Sequence, residues 1–421
     1  MPISGKRMMN LVKKLGFERL STYESETKAA EMLCEEIRAL GLEPTVETFL
    51  APRYDVNEVK LEITAPFHKE IKATGYGFSG NDAKEGIEAD FVYIEGFDPI
   101  DLYDVKGKIV FFTGGMGIGA YESLIKAGAV GFISTAGNFR DKMAETDLEE
   151  RTLRDKHTEH GKLPGVTIHM KDALALIPKH PTRAKITLSQ EEGEAESRNV
   201  IAEVKGTKYP DEIVVYTAHY DTVPFSKGYF DNSTGTAMVM ELLRQYNENP
   251  PLRTTRFIFC GSEERGLLGS KAYVAQHEDE LEKIRLCINL DMAGPILGRE
   301  TANVTAEESL CHALTFYYKE IGYPMTVRQD LYSSDSIPFA DKGIPAINFF
   351  RQGAFGSYQI HTRHDIIDIL SAESIAKTTN FIKGFSDKVL NAAFFPIDRK
   401  MPQNMVEKLD KYLLKKKDEK K

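Results

Sequence analysis

Four stretches of this 421-residue chain end in side chains that can hold a metal or move a proton. His219-Tyr220-Asp221 closes the apolar, β-branched run Ile213–Ala218, and Asp231-Asn232 follows in the next loop, directly before a helix start. Gly261-Ser262-Glu263-Glu264 closes Phe257–Cys260, and Asp291 closes Leu286–Leu290. After Ala346–Phe350 a loop delivers His361-Thr362-Arg363-His364-Asp365. Taken singly, each has an ordinary explanation. A strand-end Asp usually caps a helix or forms a turn, a lone His is usually structural, and a Glu-Glu pair usually faces solvent. Together, two His, two Asp and a Glu pair at predicted strand ends make up the imidazole and carboxylate set that suits zinc.

A two-metal centre explains the numbers. One carboxylate must bridge two ions about 3.5–4 Å apart, while each ion keeps one imidazole and one further carboxylate. That uses three carboxylates and two imidazoles, and leaves one carboxylate to act as general base toward water. His219 also needs a partner that fixes its tautomer, and Asp221, two residues on, is placed for that.

The elements that position these groups follow from periodicity. Ile213–Ala218 is short and apolar enough for a central parallel strand, and Phe257–Cys260, Leu286–Leu290 and Ala346–Phe350 repeat the pattern. Between them lie helical segments: Gly235–Tyr246 started by Ser233 or Thr234, Lys271–Lys283 and Leu310–Ile321. This alternation predicts an α/β fold with a mostly parallel, mixed central sheet and helices on both faces. In such sheets sites gather just beyond the carboxyl ends of the strands, where the candidate ligands fall. Nearer the N-terminus, Glu26–Leu40 is helical, with Ser25 as N-cap and Gly41 past the end, and strands are expected at Thr45–Phe49 and Val59–Ile63.

The motifs resemble those of the di-zinc (co-catalytic) aminopeptidase family, which includes bacterial leucyl aminopeptidases and the glutamate carboxypeptidases. The resemblance rests on His219-Tyr220-Asp221, Phe230-Asp231-Asn232-Ser233-Thr234-Gly235, Ser262 to Ser270 and Asn289-Leu290-Asp291-Met292, then on Ser334-Asp335, Pro338-Phe339, Gly343-Ile344-Pro345 and Ile360-His361-Thr362. It covers residues 20–50 and 195–390. It implies a zinc-exopeptidase (phosphorylase/hydrolase-like) fold and two zinc ions per chain, with cobalt or manganese as possible substitutes. His219 and Asp291 then hold one zinc, Glu264 and His361 the other, and Asp231 bridges them. Glu263 becomes the base that takes a proton from the attacking water and passes it to the leaving amine, with Asp221 behind His219. A cis peptide bond is expected between Asp231 and Asn232. Two departures stand out: Ser336 where the family often has His, and Ile360 where some members place an oxyanion-binding Tyr. Tyr332 and Tyr358 are the candidates for that role here.

Residues 72–190 are read as an insertion, a smaller β-rich α+β domain, which leaves 1–71 and 191–396 as a discontinuous catalytic domain and 397–421 as a basic, solvated tail. The insertion resembles a protease-associated domain through Val105-Lys106-Gly107-Lys108-Ile109-Val110, Lys126 to Gly131 and Leu163 to Val166. Its Gly115-Met116-Gly117-Ile118-Gly119-Ala120 fits a dinucleotide fingerprint in form. The position about twenty residues on is Thr135 rather than an acid, so a tight turn is the expected use.

The net charge of −9 argues against nucleic acid as main partner. No run is long and apolar enough to span a bilayer. Four scattered cysteines without a CxxC pair fit a reducing compartment, and with no signal-like N-terminus the expectation is a cytoplasmic protein. It is expected to act on peptides, and a homo-oligomer is compatible with the sequence. The leading function is an aminopeptidase. A carboxypeptidase of the glutamate carboxypeptidase type would need cations such as Arg351 and Arg363 near the cleft, and a glutaminyl cyclase of this fold would bind one zinc. A metal-free binding protein of the same fold would carry broken ligands, and none is broken here.

Overall fold

The computed structural model describes residues 2–81 and 85–415. The chain forms two compact units, residues 1–51 with 195–421, and residues 52–194. The division falls at 51/52 rather than 71/72. The stretch read as two strands is one strand, Thr45–Ala65, whose Leu61–Ile63 end pairs with Lys69–Ile71. Its polar middle, Arg53 to Asn57, hid that continuity from a reading based on apolar runs.

In the first unit the four expected strands stand side by side and parallel, in the order Ala346–Gly353, Ile284–Leu290, Tyr209–His219, Arg253–Cys260. Antiparallel neighbours close both sides: Gly298–Thr305 beside Ala346–Gly353, and the end of Arg183–Val204 beside Arg253–Cys260. The sheet is therefore mixed with a parallel centre, as expected. Alternation along the central strand feeds two cores. Val214, Tyr216 and Ala218 join one apolar cluster, and Ile213 and Val215 the other. The first cluster takes in Met8 and Leu11 of helix Gly5–Lys14, Leu242 of Thr234–Glu248, Leu314 of Glu308–Glu320 and Phe381 of Ala372–Leu390. The second includes Tyr273 of Leu268–Gln276, Phe339 of Ser336–Asp341 and Leu409 of Gln403–Tyr412.

That last helix corrects the solvated-tail reading for residues 403–412. Met405 and Leu409, one turn apart on one face, are buried. Residues 416–421 of the expected tail lie outside the described residues. The helix expected from Glu26 starts two residues earlier, at Glu24, and Ser25 accepts a hydrogen bond from the Leu20 amide (3.1 Å) instead of capping it.

In the second unit Ile87–Tyr93, Ile109–Phe111, Gly131–Ala136 and Gly165–His169 run parallel, flanked by antiparallel Ala73–Gly77. The glycine-rich loop lies between Ile109–Phe111 and the helix Ile118–Ala127. The Gly114 amide donates to Thr135 Oγ1 at 2.9 Å. Thr135, at the place where a dinucleotide site would carry an acid, thus stitches the turn to the next strand.

Candidate metal centre

Parallel pairing sets the strand ends level: His219 lies opposite Cys260, and Thr217 opposite Asn289, which lies opposite Asn348. Side-chain bonds tie this layer together. Asn289 Nδ2 donates to Ser334 Oγ (2.8 Å) and to Asn348 Oδ1, while Thr217 Oγ1 donates to Asn289 Oδ1 (2.6 Å). The loops leaving these ends therefore start from a fixed plane.

The structure brings the expected residues together. His219 Nε2 lies 3.2 Å from Asp231 Oδ1 and 3.6 Å from Asp291 Oδ1. His361 Nε2 lies 3.0 Å from Asp231 Oδ2 and 3.3 Å from Glu264 Oε2. The two oxygens of Asp231 thus face two different imidazoles. Among the described residues the groups close enough to hold an ion are His219/Asp231/Asp291, Asp231/Glu264/His361 and His219/Glu263/Glu264. Glu263 sits within the third group. Asp221 Oδ1 is 3.5 Å from His219 Nδ1, on the far side of that ring from Asp231.

Backbone detail shows how the loops hold these side chains. The Asp231–Asn232 peptide bond is cis, as expected. Asn232 Oδ1 accepts from the Gly235 and Met292 amides (2.9 and 3.0 Å), which joins the Asp231 loop to the residue after Asp291. The Phe230 and Asp231 amides donate to Asp365 at 2.8 and 3.0 Å. Ser262, Met292 and His361 have positive φ (55°, 66° and 59°). Such conformations cost non-glycine residues energy and persist where the surroundings over-determine them, often at functional sites.

Arg19 lies fully buried beneath the site. Its guanidinium donates to the carbonyls of Phe17, Lys227 and Gly228 (2.9, 2.8 and 3.1 Å) and of Leu15 and Tyr220. Burial lowers its pKa to about 10, against the opposing pull of Asp221, Asp365, Asp231 and Glu264. No sequence rule finds Arg19, because its partners are backbone carbonyls, most of them distant in sequence. Asp365 stood inside a string of ligand-type residues, but nothing in that string marked it as the support of Asp231.

The electrostatics are those of a cation site. Burial disfavours charge on His219, yet Glu263, Asp221, Asp231 and Asp291 outweigh it and hold the imidazole well above its ordinary pKa. His361, against the same burial penalty, is pushed up to about 12, chiefly by Glu264. Burial raises Glu263 well above the carboxylate range, with His219 opposing and Glu264 adding to the rise. Asp291 Oδ1 and Glu264 Oε1 are buried and accept no hydrogen bond, a costly state for polar atoms that a cation would relieve. Two imidazoles and three carboxylates, with carboxylate oxygens left open, fit zinc.

Of the two tyrosine candidates, Tyr332 is the one whose environment includes the metal carboxylates. Burial, then Asp291, Asp231 and Glu263, raise its hydroxyl well above 10. Tyr358 packs edge-on against Phe230, ring centroids 5.5 Å apart. Arg351 is committed elsewhere: it donates to the Pro295 carbonyl (2.8 Å) and pairs with Glu300 (3.1 Å). It lines a cavity of about 750 Å³ that includes none of the ligand residues.

Residues 199–386 match the family model described as Peptidase family M28. The chain is 28% identical to Aminopeptidase YwaD of Bacillus subtilis, over 86% of this chain and 79% of that one. It is 26% identical to Carboxypeptidase Q of Bos taurus, over 72% of this chain and 69% of the relative. Among solved structures, BSAP, a zinc aminopeptidase from Bacillus subtilis, superposes with a TM-score of 0.79 at 24% identity. It covers 95% of this chain and 99% of its own.

Proposed function

We propose that this chain, which belongs to peptidase family M28 over residues 199–386, is an aminopeptidase that removes N-terminal residues from peptides at a two-zinc centre. One observation carries the reading: the two oxygens of Asp231 face His219 and His361 separately, at 3.2 and 3.0 Å. A carboxylate so placed serves as the bridge of a two-ion site. His219, Asp231 and Asp291 would hold one ion; Asp231, Glu264 and His361 the other. Zinc so held supplies Lewis acidity, which brings the pKa of water toward neutrality and polarises the scissile carbonyl.

The chain's own groups do the rest. Glu263, close to His219 and Glu264 but outside the five ligands, accepts the proton of the attacking water and returns it to the leaving nitrogen. Burial raises its pKa above the ordinary carboxylate range, the direction that favours a group which gives a proton as well as takes one. Asp221 faces the outer nitrogen of His219 at 3.5 Å, and its two oxygens accept the Glu263 and Glu264 amides (2.9 and 3.1 Å), so one carboxylate stands behind both halves of the centre. Tyr332 is the donor we assign to the developing oxyanion.

The resemblance to Carboxypeptidase Q supports a second reading, in which the substrate's free carboxylate is the recognised end. Arg351, occupied by Glu300 and Pro295, does not serve that purpose. A panel of free and N-acetylated peptides separates the two. The aminopeptidase reading expects free peptides to be cleaved and their N-acetylated forms to be spared. Equal cleavage of both would remove the prefix "amino".

A cytoplasmic, reducing location is part of the proposal, supported by four buried, unpaired cysteines. The second unit, which resembles a protease-associated domain, has a non-catalytic role in this reading.

A further inference from the structure

Three consecutive amides in the turn that carries Glu263 and Glu264 point at buried carboxylates. Those of Glu263 and Glu264 donate to Asp221. The first, Ser262, donates instead to Glu26 Oε1 at 2.9 Å, across 236 positions of sequence. Glu26 lies in the first turn of helix Glu24–Arg38 and is 1% exposed. Ser197 Oγ also donates to Oε1 (2.9 Å), and the Thr22 amide donates to Oε2 (2.8 Å). The Ser262 hydroxyl is 3.1 Å from Oε1 and 2.6–2.7 Å from the hydroxyls of Ser21 and Ser197.

The turn cannot easily hold itself. Ser262 has φ of 55°, a left-handed conformation that a non-glycine residue keeps only under external constraint. At Gly261 a Cβ would come within 2.9 Å of Glu26 Oε1, so backbone and carboxylate are in close contact.

We infer that Glu26 is a positioning residue: its carboxylate fixes the Gly261–Ser262 backbone so that Glu263 and Glu264 are aimed at the metal centre. This rests on the roles given to Glu263 and Glu264 above. A merely structural Glu26, favourable in a first helical turn, would affect folding alone. A positioning Glu26 acts on kcat and on metal held through Glu264.

The test uses the full chain loaded with zinc and two variants. Glu26→Asp keeps a carboxyl group but draws it back by one methylene, away from the Ser262 amide. Glu26→Gln keeps an acceptor oxygen at full reach. Measured are kcat and KM on a free peptide, zinc affinity by chelator competition, and the unfolding temperature. Outer partners of metal ligands are typically worth 10–100-fold in activity or affinity. Glu26→Asp is therefore expected to lower kcat by about 10–100-fold with KM within about twofold, and to weaken zinc about tenfold. Glu26→Gln is expected to recover most of both losses. Glu26→Asp with kcat and zinc affinity both within twofold of wild type overturns the inference. So does Glu26→Gln impaired as deeply as Glu26→Asp, and this variant decides alone if Glu26→Asp does not fold. A wild type that binds zinc but cleaves no peptide refutes the role of Glu263 instead, and chelator competition then still decides whether Glu26 holds Glu264.

Discussion

The acidic side chains at the carboxyl end of this sheet are given different work by their neighbours. Asp231 is divided between two imidazoles, Asp291 and Glu264 each keep an oxygen with no hydrogen bond, and Asp221 and Asp365 are filled by backbone amides. In the proposed reaction Glu263 is the carboxyl for proton transfer. Glu263→Gln should therefore lower kcat by about 10²–10⁴-fold, the usual share of general acid–base catalysis, while zinc content by elemental analysis stays at the wild-type level. Near-wild-type activity in that variant would contradict the assignment. At this scale the ligand set was legible because it consists of unusual residue types at strand ends. The division of labour was not, since it depends on which amides reach which oxygens across loops.

Two buried side chains, Arg19 and Glu26, tie the loops of the site to the N-terminal elements. Arg19 gathers five carbonyls from the N-terminal segment and the 220–228 loop. Arg19→Met would take this donor from the carbonyls of Phe17, Tyr220 and Lys227, while Leu15 and Gly228 keep the Phe17 amide and the Ser233 amide and hydroxyl. At about 1–3 kcal/mol for an unsatisfied buried group, a loss of about 3 kcal/mol or more is expected in urea unfolding, and a loss below about 1 kcal/mol would show that the loop does not depend on it. Glu26 adds a pH dependence. Burial, with Asp221 reinforcing it, holds its carboxyl at about 7 in the folded protein, against about 4.3 in an unfolded chain. The folded state then binds more protons across that interval, so this contribution to stability is complete below about 4.3 and is lost as pH rises through about 7. In metal-free protein the stability difference between wild type and Glu26→Gln should shift against wild type from pH 5 to pH 7.5, and a pH-independent difference would refute it. The four central strands could be read because each is an apolar run ended by polar chemistry. The helix Ala372–Leu390 escaped the sequence reading, as its first turns are polar and threonine-rich with Ile375 as their one large apolar residue, and the others come only from Phe381 onward. Helix Gln403–Tyr412 shows only Met405 and Leu409 as anchors amid charge.

For the molecule as a whole, the fold agrees with that of a solved zinc aminopeptidase across 95% of the chain, and the family model spans the part that holds all five proposed ligands. Among the described residues no helix is long and apolar enough to cross a membrane. The central claim is that one chain uses two ions, bridged by Asp231, to release an N-terminal residue. Its most direct test is a zinc titration of metal-free protein at fixed concentration, with cleavage of a free peptide followed alongside bound zinc. Binding should saturate at two equivalents per chain, and full activity should need both. Saturation at a single equivalent with full activity, or zinc uptake without any cleavage, would contradict it.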